Sequence, residues 1–157
     1  MTLKVKRGRA TLLAQRIRAL EQALPRLATR AAKIAELQAK RGLMLNVYGT
    51  APGTYQRTEQ LLLKVYAAGQ AGAGRINVVV GDQAAYASLV EYGTGPSEFT
   101  EPQLLGYLEA MPEPRLLRFG RSGQKYLLPG PYVLPAVFIA RHQTRQAVQG
   151  LIRTLWE

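Results

Sequence analysis

A long stretch of helix-forming residues near the N-terminus, residues 9–41, constrains this chain more than any other feature. Apolar side chains recur there at alternating spacings of four and three residues: Leu13, Ile17, Leu20, Leu24, Leu27, Ala31 and Ile34. This heptad-like spacing predicts one long amphipathic helix, about nine turns in length. Two interpretations of the apolar stripe stay open. The helix lies on its own domain, or it packs against a neighbouring subunit.

Two residues define the expected shape and end of this helix. Pro25 has no backbone N–H to donate, so we expect it to kink or split the helix. Because the apolar stripe keeps its phase across Pro25, a kink is favoured over two unrelated helices. Gly42 follows Lys40 and Arg41, which suit the negative end of a helix, and we expect it to be the residue that ends the helix.

The positive charge is concentrated in this N-terminal region. The 157 residues carry a formal net charge of +11. Residues 1–41 contain eleven Lys and Arg against two Glu, a net charge of +9, so the other 116 residues carry only +2. A basic helix of this kind can contact nucleic acid, an anionic membrane surface or an acidic protein partner.

The middle of the chain is predicted to alternate short helical and extended segments. Residues 43–48 are apolar and predict a strand or a last helical turn, followed by a loop. Thr58 is expected to cap a short helix with Glu59 in its first turn. The glycine-rich residues 67–74 are expected to be a flexible hairpin connection. The β-branched residues 75–81 then give the clearest strand, with Ile76, Val78 and Val80 on one face.

The remaining segments complete an α+β architecture. Thr100 is expected to cap a short helix, Gly120–Gly123 to be the turn of a hairpin, and residues 135–155 to form a terminal helix, with Trp156 tucked under it. We therefore predict a single domain, residues 1–157, with a long N-terminal helix and a C-terminal helix on a small, mostly antiparallel sheet. Its parts are a basic helix (1–42), a sheet core (43–96), an insertion of a helix and a hairpin (97–131) and the C-terminal helix (132–157).

One acidic residue stands out inside an apolar segment. The stretch from Tyr86 to Pro96 is apolar until Glu91 and then ends in Gly93, Thr94, Gly95 and Pro96. An unpaired carboxylate buried in such a segment would be costly. Glu91 is therefore either a solvated edge residue or the partner of a cation or of a row of backbone N–H groups.

The residue types argue against catalysis and cofactor binding. The chain has no cysteine and only one histidine, His142, which excludes thiolate sites and multi-histidine metal sites. The glycines of 69–74 precede a strand, whereas a phosphate-binding loop follows a strand and opens a helix. No apolar run has the ~18 residues that a membrane helix needs, and the N-terminus lacks the apolar segment of a signal peptide. We expect no enzyme, no cofactor, no metal site and no membrane contact.

Three segments, taken in order, resemble the tail-completion or head–tail joining proteins of long-tailed bacteriophages. Tyr86, Ala87, Val90, Glu91, Tyr92, Gly93 and Thr94 match a Tyr-Ala-x-x-Val-Glu-Tyr/Phe-Gly-Thr signature. Arg57 and Thr58 open a segment similar to Arg-Thr-Gly-x-Leu. Gly130–Ala136, which contains Pro135, takes the place of an Arg-Pro-Phe-Leu-Arg-Pro-Ala segment. The resemblance covers most of the chain except residues 97–131.

The resemblance implies a structural protein of the virion, assembled in the host cytoplasm and without catalytic activity. Such proteins form a ring, commonly of six copies, at the neck, where they join the tail to the head connector. Neighbouring neck and tail-tube proteins would be its partners, and DNA would pass through the ring with non-specific contacts at most. Two alternatives stay open: a tail-terminator ring protein, and a basic nucleic-acid-binding accessory protein.

The chain departs from the family pattern at two positions. Glu59 stands where a glycine is expected, and Leu134 where an arginine is expected. If that arginine pairs with the family glutamate, Arg57 or an arginine of a neighbouring subunit has to replace it here. We expect Glu91 to accept hydrogen bonds, or to bind an arginine, at a position that defines the fold or a subunit contact.

Overall fold

The longest element is α1, Arg7–Leu43, a helix of 37 residues. It belongs to a computed structural model that describes residues 7–49, 59–95, 98–110, 120–121 and 127–157. A single helix passes through Pro25 rather than two separate ones, as the unbroken phase of the apolar stripe favoured. Pro25 is exposed, and the hydroxyl of Thr29 donates a hydrogen bond to its carbonyl oxygen at 3.1 Å.

Eight further elements follow α1. They are α2 (Gln60–Lys64), β1 (Val65–Gly72), β2 (Arg75–Asp82), α3 (Ala87–Tyr92), α4 (Glu101–Ala110), β3 (Gly120–Arg121), β4 (Leu127–Leu128) and α5 (Val133–Trp156). A π-helical segment, Met44–Tyr48, continues directly from α1. The predicted α+β class, with a long N-terminal helix, a C-terminal helix and a small antiparallel sheet, is confirmed.

The main sheet is an antiparallel hairpin of two eight-residue strands. β1 and β2 pair from Val65↔Asp82 to Gly72↔Arg75. A two-residue turn, Ala73–Gly74, joins them, and both turn residues have positive φ, +49° and +72°. Such φ values are typical of the tight turns that match the twist of paired strands. The faces alternate as predicted for β2: Ile76, Val78 and Val80 are half-buried while Val79 is exposed.

Small residues let the hairpin approach α1 closely. The buried face of α1 consists mainly of alanines: Leu24, Ala28, Ala31, Ala32, Ala35, Ala39 and Leu43. Gly69 of β1 lies so near α1 that an added Cβ would overlap the carbonyl oxygen of Ala28 and touch the Cβ of Ala32. The helix and the sheet therefore form two tightly apposed layers.

The last helix, α5, runs antiparallel along α1. Gly42, near the end of α1, faces Tyr132 at the start of α5, where a Cβ on the glycine would lie 3.0 Å from that of the tyrosine. At the opposite end, the guanidinium of Arg16 lies over the ring of Trp156, 5.9 Å from its centre. Trp156 remains 43% exposed, so it is not tucked under the helix as predicted.

The apolar stripe of α1 packs on the chain's own domain along only part of its length. From Leu24 onward, its residues are buried or half-buried against the chain's own hairpin and α5. Nearer the N-terminus, Leu13 and Ile17 remain 49% and 44% exposed. The C-terminal part of the helix thus lies on its own domain, and the N-terminal part is open to solvent.

Several predicted boundaries around α1 and the hairpin are wrong. The helix does not end at Gly42. Instead this glycine permits the contact with Tyr132. Residues 44–48 continue as π-helix, so of the two expectations for this segment the last helical turn is confirmed and the strand is wrong. Residues 67–72 are paired strand rather than a flexible connection, and Gly69 lets this strand lie close to α1. Glu59 is the cap residue of α2, with φ +55°, and does not belong to the first turn of the helix as predicted. Thr58, the predicted cap, lies outside the described residues.

The insertion and the segment around Glu91 also differ in detail. Gly120 and Arg121 are paired with Leu128 and Leu127, so they belong to a strand and not to the expected turn. Thr100 does precede α4, and its N–H and hydroxyl both donate to the side-chain oxygen of Gln103 at 2.9 Å. Among the described residues of the predicted sheet core, the strands are β1 and β2 alone, and the segment that holds Glu91 is the short helix α3.

Candidate functional site

Glu91 is a buried carboxylate at the start of the last helix. Its side chain points from α3 toward α5, and the residue is only 4% exposed, so a solvated edge position is excluded. One carboxylate oxygen, Oε2, accepts hydrogen bonds from the N–H groups of Tyr132 at 2.8 Å and Val133 at 3.0 Å. The other, Oε1, accepts from the N–H of Leu134 at 2.9 Å. The row of backbone N–H groups is therefore the partner that the structure shows.

These contacts account for the N-terminal donors of α5. The first four N–H groups of any helix have no partner within the helix. In α5 three of them, those of Tyr132, Val133 and Leu134, donate to Glu91, and the fourth position is Pro135, which has no N–H. The negative charge also lies at the positive end of the helix dipole. A residue 41 positions earlier in the sequence thus caps α5 through tertiary contact, since Tyr132 makes no side-chain cap of its own.

Glu91 has hydrogen-bond partners for both carboxylate oxygens, although this chain lacks the arginine expected at position 134. Leu134, which stands where an arginine is expected, contributes its backbone N–H instead of a side-chain cation. Each oxygen of Glu91 has at least one donor, and the described residues include no buried side-chain polar atom without a partner. Arg57, the other expected partner, lies outside the described residues.

A second set of polar contacts joins the same junction to α1 and β2. The hydroxyl of Tyr132, a residue with no exposed surface, donates to Oδ2 of Asp82 at 2.8 Å. The other oxygen of Asp82 accepts from the N–H of Ala84 at 2.8 Å. On the opposite side, the amide of the buried Asn46 donates to the carbonyl oxygen of Pro131 at 2.6 Å. We call Asn46, Asp82, Glu91 and Tyr132 the buried junction.

Apolar packing surrounds the buried junction and strengthens its hydrogen bonds by excluding water. The surrounding core cluster contains Ala39, Leu43, Val47, Leu61, Val65, Ala84, Val90, Tyr132 and Ala136. Its members come from α1, the π-helical segment, α2, β1, α3 and α5. The buried junction therefore lies where most of the chain's elements meet.

Burial changes the ionisation of two junction residues. It raises the pKa of the Glu91 carboxyl, and the three N–H donations lower that pKa by a smaller amount. Burial, followed by the hydrogen bond to Asp82, raises the pKa of the Tyr132 hydroxyl far above its usual range, so it stays protonated. Tyr132 therefore acts as the hydrogen-bond donor to Asp82 at neutral pH.

The motif residues from Tyr86 to Thr94 lie around the buried junction. Val90 is fully buried, and its carbonyl oxygen accepts from the N–H of Gly130 at 2.7 Å. Tyr86 packs half-buried against the core cluster, and Tyr92 and Thr94 are half-buried. Gly93 follows α3 with φ +82°, a conformation that favours glycine, and its N–H donates to the carbonyl oxygen of Leu89.

The structure brings two of the three resemblance segments together. Glu91 and Val90 of the segment Tyr86–Thr94 hydrogen-bond to Gly130–Leu134 of the other segment, across about forty residues of sequence. Of the third segment, Arg57 and Thr58 lie outside the described residues, whereas Glu59 caps α2, Gln60 begins it, and Leu61 is buried in the core cluster. The sequence did not single out Asn46, Asp82 or Tyr132. For Asn46 the available signal was a polar amide inside the apolar run of residues 43–48.

The polar groups of the buried junction are all engaged inside the protein. Its hydroxyl, amide and carboxylates each have a hydrogen-bond partner there. The described part of the chain contains no group of three His, Cys, Asp or Glu side chains placed to hold a metal ion. A search of the same residues finds no helix long and apolar enough to cross a membrane.

The basic surface of the protein lies on α1, away from the buried junction. Arg26, Arg30, Lys33 and Arg41 are exposed along one side of the helix, while Lys40 forms an ion pair with Glu36. From residue 26 to residue 41 this side extends about 22 Å along the helix. It could bind an anionic partner by charge alone.

Comparison with known proteins finds no matching family model, no matching curated protein and no matching solved structure. The resemblance to tail-completion proteins therefore depends on the motif residues of this chain alone.

Proposed function

We propose that this protein is a structural subunit of a bacteriophage neck, where copies of it form a ring that completes the tail and joins it to the head connector. The observation that carries the proposal is the contact between the two resemblance segments. A shared motif whose residues are distant in sequence and adjacent in space is the pattern expected when the motif defines a fold. Glu91, the most constrained residue of the motif, caps the helix that the second segment begins.

The nature of the site agrees with an assembly protein. Its polar groups stabilise the arrangement of helices and sheet and leave the exposed surfaces for contacts with other chains. Those surfaces include an open end of α1, where Leu13 and Ile17 are exposed, and the outer face of the hairpin. A tail-terminator ring is the closely related alternative, and both functions place the protein in the virion.

Disrupting the gene in the phage that encodes the chain tests the proposal. We expect DNA-filled heads and separate tails that fail to join, and recovery of joined particles when the intact gene is supplied in trans. A tail terminator would instead leave tails of abnormal length. Normal numbers of joined, infectious particles without the protein would contradict both functions.

The basic side of α1 favours a second candidate, a nucleic-acid-binding accessory protein. A titration of duplex DNA at increasing salt distinguishes it from a neck subunit. Tight binding whose logarithm falls steeply with the logarithm of the salt concentration, and which is lost in an Arg26→Glu/Arg30→Glu variant, would favour the accessory protein. A neck subunit that meets DNA only in passing is expected to bind weakly.

A further inference from the structure

The acidic residues of this chain are concentrated in one segment. Residues 76–114 contain six of the ten acidic residues and no lysine or arginine. Two of the six, Asp82 and Glu91, belong to the buried junction. Glu98, Glu101 and Glu109 are exposed, on α4 or just before it, and we call these three the acidic surface. A chain with a net charge of +11 thus presents one region of the opposite sign.

Arg26, Arg30 and Lys33 form a row of exposed cations on α1, which we call the basic row. They follow one another at spacings of four and three residues, so they lie on one side of the helix, where like charges destabilise it. From residue 22 to residue 41 the one acid is Glu36, and it forms an ion pair with Lys40. The basic row has no ion-pair partner in the part of the chain that the structure describes. A negatively charged partner would relieve its repulsion.

Within one chain, the acidic surface and the basic row do not pair with each other. Helix α4 makes no extensive contact with α1, and no member of the acidic surface forms an ion pair with a described residue. The inner side of α4 carries Leu104, which is fully buried, so the helix is fixed to the protein through another side. Both charged surfaces are therefore open to a neighbouring molecule.

The two surfaces also match in length. The basic row extends about 10 Å along α1 from its first to its last residue, and Glu101 and Glu109 are about 12 Å apart along α4. Glu101 and Glu109 lie within about 80° of one another around their helix, so both can face one partner.

An exposed leucine beside the basic row favours a protein over a nucleic acid as the partner. Leu37 lies one turn beyond Lys33 on the same side of α1 and is 58% exposed. A phosphate backbone has no apolar group to cover it. On α4 the half-buried Leu105 lies between Glu101 and Glu109. Protein interfaces commonly combine apolar contacts at the centre with charged groups at the rim.

We propose that the acidic surface of one copy of this chain docks on the basic row of the next copy. The contact joins two different surfaces, so it is head to tail, and repeated contacts of this kind close into a ring when the rotation between copies permits. General repulsion between copies is screened beyond about 8 Å at physiological salt, so the opposite charges in direct contact dominate. This inference rests on the proposed ring function and names its subunit contact.

Two charge-reversal variants of the full chain test the contact. The base-reversed chain has glutamate at each position of the basic row, and the acid-reversed chain has lysine at each position of the acidic surface. All six positions are exposed, and circular dichroism confirms that each variant is folded. Association of the purified chains is measured by sedimentation equilibrium over a range of protein and salt concentrations. The substitutions are Arg26→Glu, Arg30→Glu and Lys33→Glu in one variant, and Glu98→Lys, Glu101→Lys and Glu109→Lys in the other.

We expect the unaltered chain to associate, and its association to weaken as salt increases. Each variant alone should associate roughly tenfold to a hundredfold less tightly, because every contact then joins like charges. An equimolar mixture of the two variants should recover the association of the unaltered chain, since each reversed surface meets its complement on the other variant. The matched control reverses exposed arginines of α5 and should cause no loss, although its net charge equals that of the base-reversed chain: Arg141→Glu, Arg145→Glu and Arg153→Glu.

A chain that stays monomeric under all conditions, or a mixture no more associated than the separate variants, would overturn the inference. The same result with rings seen in particles would show that the ring uses another surface, and the proposed function would stand. Recovery in the mixture, with the chain absent from particles, would support the contact and count against the neck function. Loss of duplex-DNA binding in the base-reversed chain, with no recovery of association in the mixture, would assign the basic row to nucleic acid instead.

Discussion

At the residue scale, Glu91 holds the start of α5 in place. A carboxylate from one short helix holds three N–H groups at the start of another, and Pro135 removes the fourth donor that would otherwise need a partner. The contact replaces a local cap with a long-range one, which ties the formation of α5 to the position of α3. Removing it affects tertiary structure and helix stability together.

Replacing Glu91 by glutamine should destabilise the fold by about 1–3 kcal/mol, because the amide NH2 would face a backbone N–H and leave a buried donor unsatisfied. The measurement is urea unfolding followed by circular dichroism. Glu98→Gln, at an exposed position, is the matched control and should change stability by less than about 0.5 kcal/mol. Equal midpoints for the two variants would show that the buried carboxylate is dispensable.

The destabilisation caused by Glu91→Gln should depend on pH because the pKa of Glu91 is raised in the folded protein. A carboxyl whose pKa is higher in the folded than in the unfolded state binds more protons when folded. Its contribution to stability is complete below the unfolded pKa, near 4.5, and decreases as the pH rises through the raised folded pKa. The cost of Glu91→Gln should therefore shrink from pH 4.5 to neutral pH. A cost that grows with pH would mean that the three N–H donations outweigh burial.

The sequence identified Glu91 because an acid in an apolar segment needs a partner, and it left open which partner. It did not reveal Asn46, Asp82 or Tyr132. Their hydrogen bonds cross 85, 50 and 41 residues of sequence, and such contacts have no local signature. Asp82 in particular is indistinguishable in sequence from a residue at the end of a solvated strand.

At the element scale, close packing between β1 and α1 explains the small residues of the hairpin. Residues 67–74 have the composition of a flexible loop, and sequence reasoning predicted one. Gly69 is instead required by the short distance to α1, whereas Gly72 has open space around it. The turn itself is only Ala73–Gly74.

The two glycines of β1 should respond very differently to alanine. Gly69→Ala is expected to cost about 1–3 kcal/mol because the new Cβ would overlap the backbone of α1. Gly72→Ala meets no atom within 4 Å and should be neutral or stabilising by up to about 1 kcal/mol. Denaturant midpoints of the two variants give the comparison. Similar losses at both positions would contradict the proposed contact.

The turn offers a stabilising change. Ala73 has φ +49°, a left-handed conformation that costs an alanine about 1 kcal/mol, whereas asparagine adopts it more readily. Ala73→Asn should therefore raise the melting temperature by about 2–4 °C. An unchanged or lower melting temperature would indicate that the turn stores no such strain.

At the scale of the whole molecule, the chain separates three surfaces. One side of α1 is basic, the outer face of the hairpin has Arg75 as its one charged residue, and the N-terminal end of the apolar stripe is exposed. The sequence predicted the first from composition and the α+β class from the order of patterns. It did not predict that both the hairpin and α5 would cover α1, because the apolar stripe alone does not show which residues pack on it.

The position of the protein in intact particles tests the central proposal most directly. Gold-labelled antibodies against the purified chain can be applied to particles of the phage that encodes it, and cryo-electron microscopy of the same particles can resolve the labelled region. We predict label at the junction of head and tail and a ring of copies around the DNA path there. Label absent from particles, or found only with free DNA, would contradict the proposal and favour a nucleic-acid-binding accessory protein.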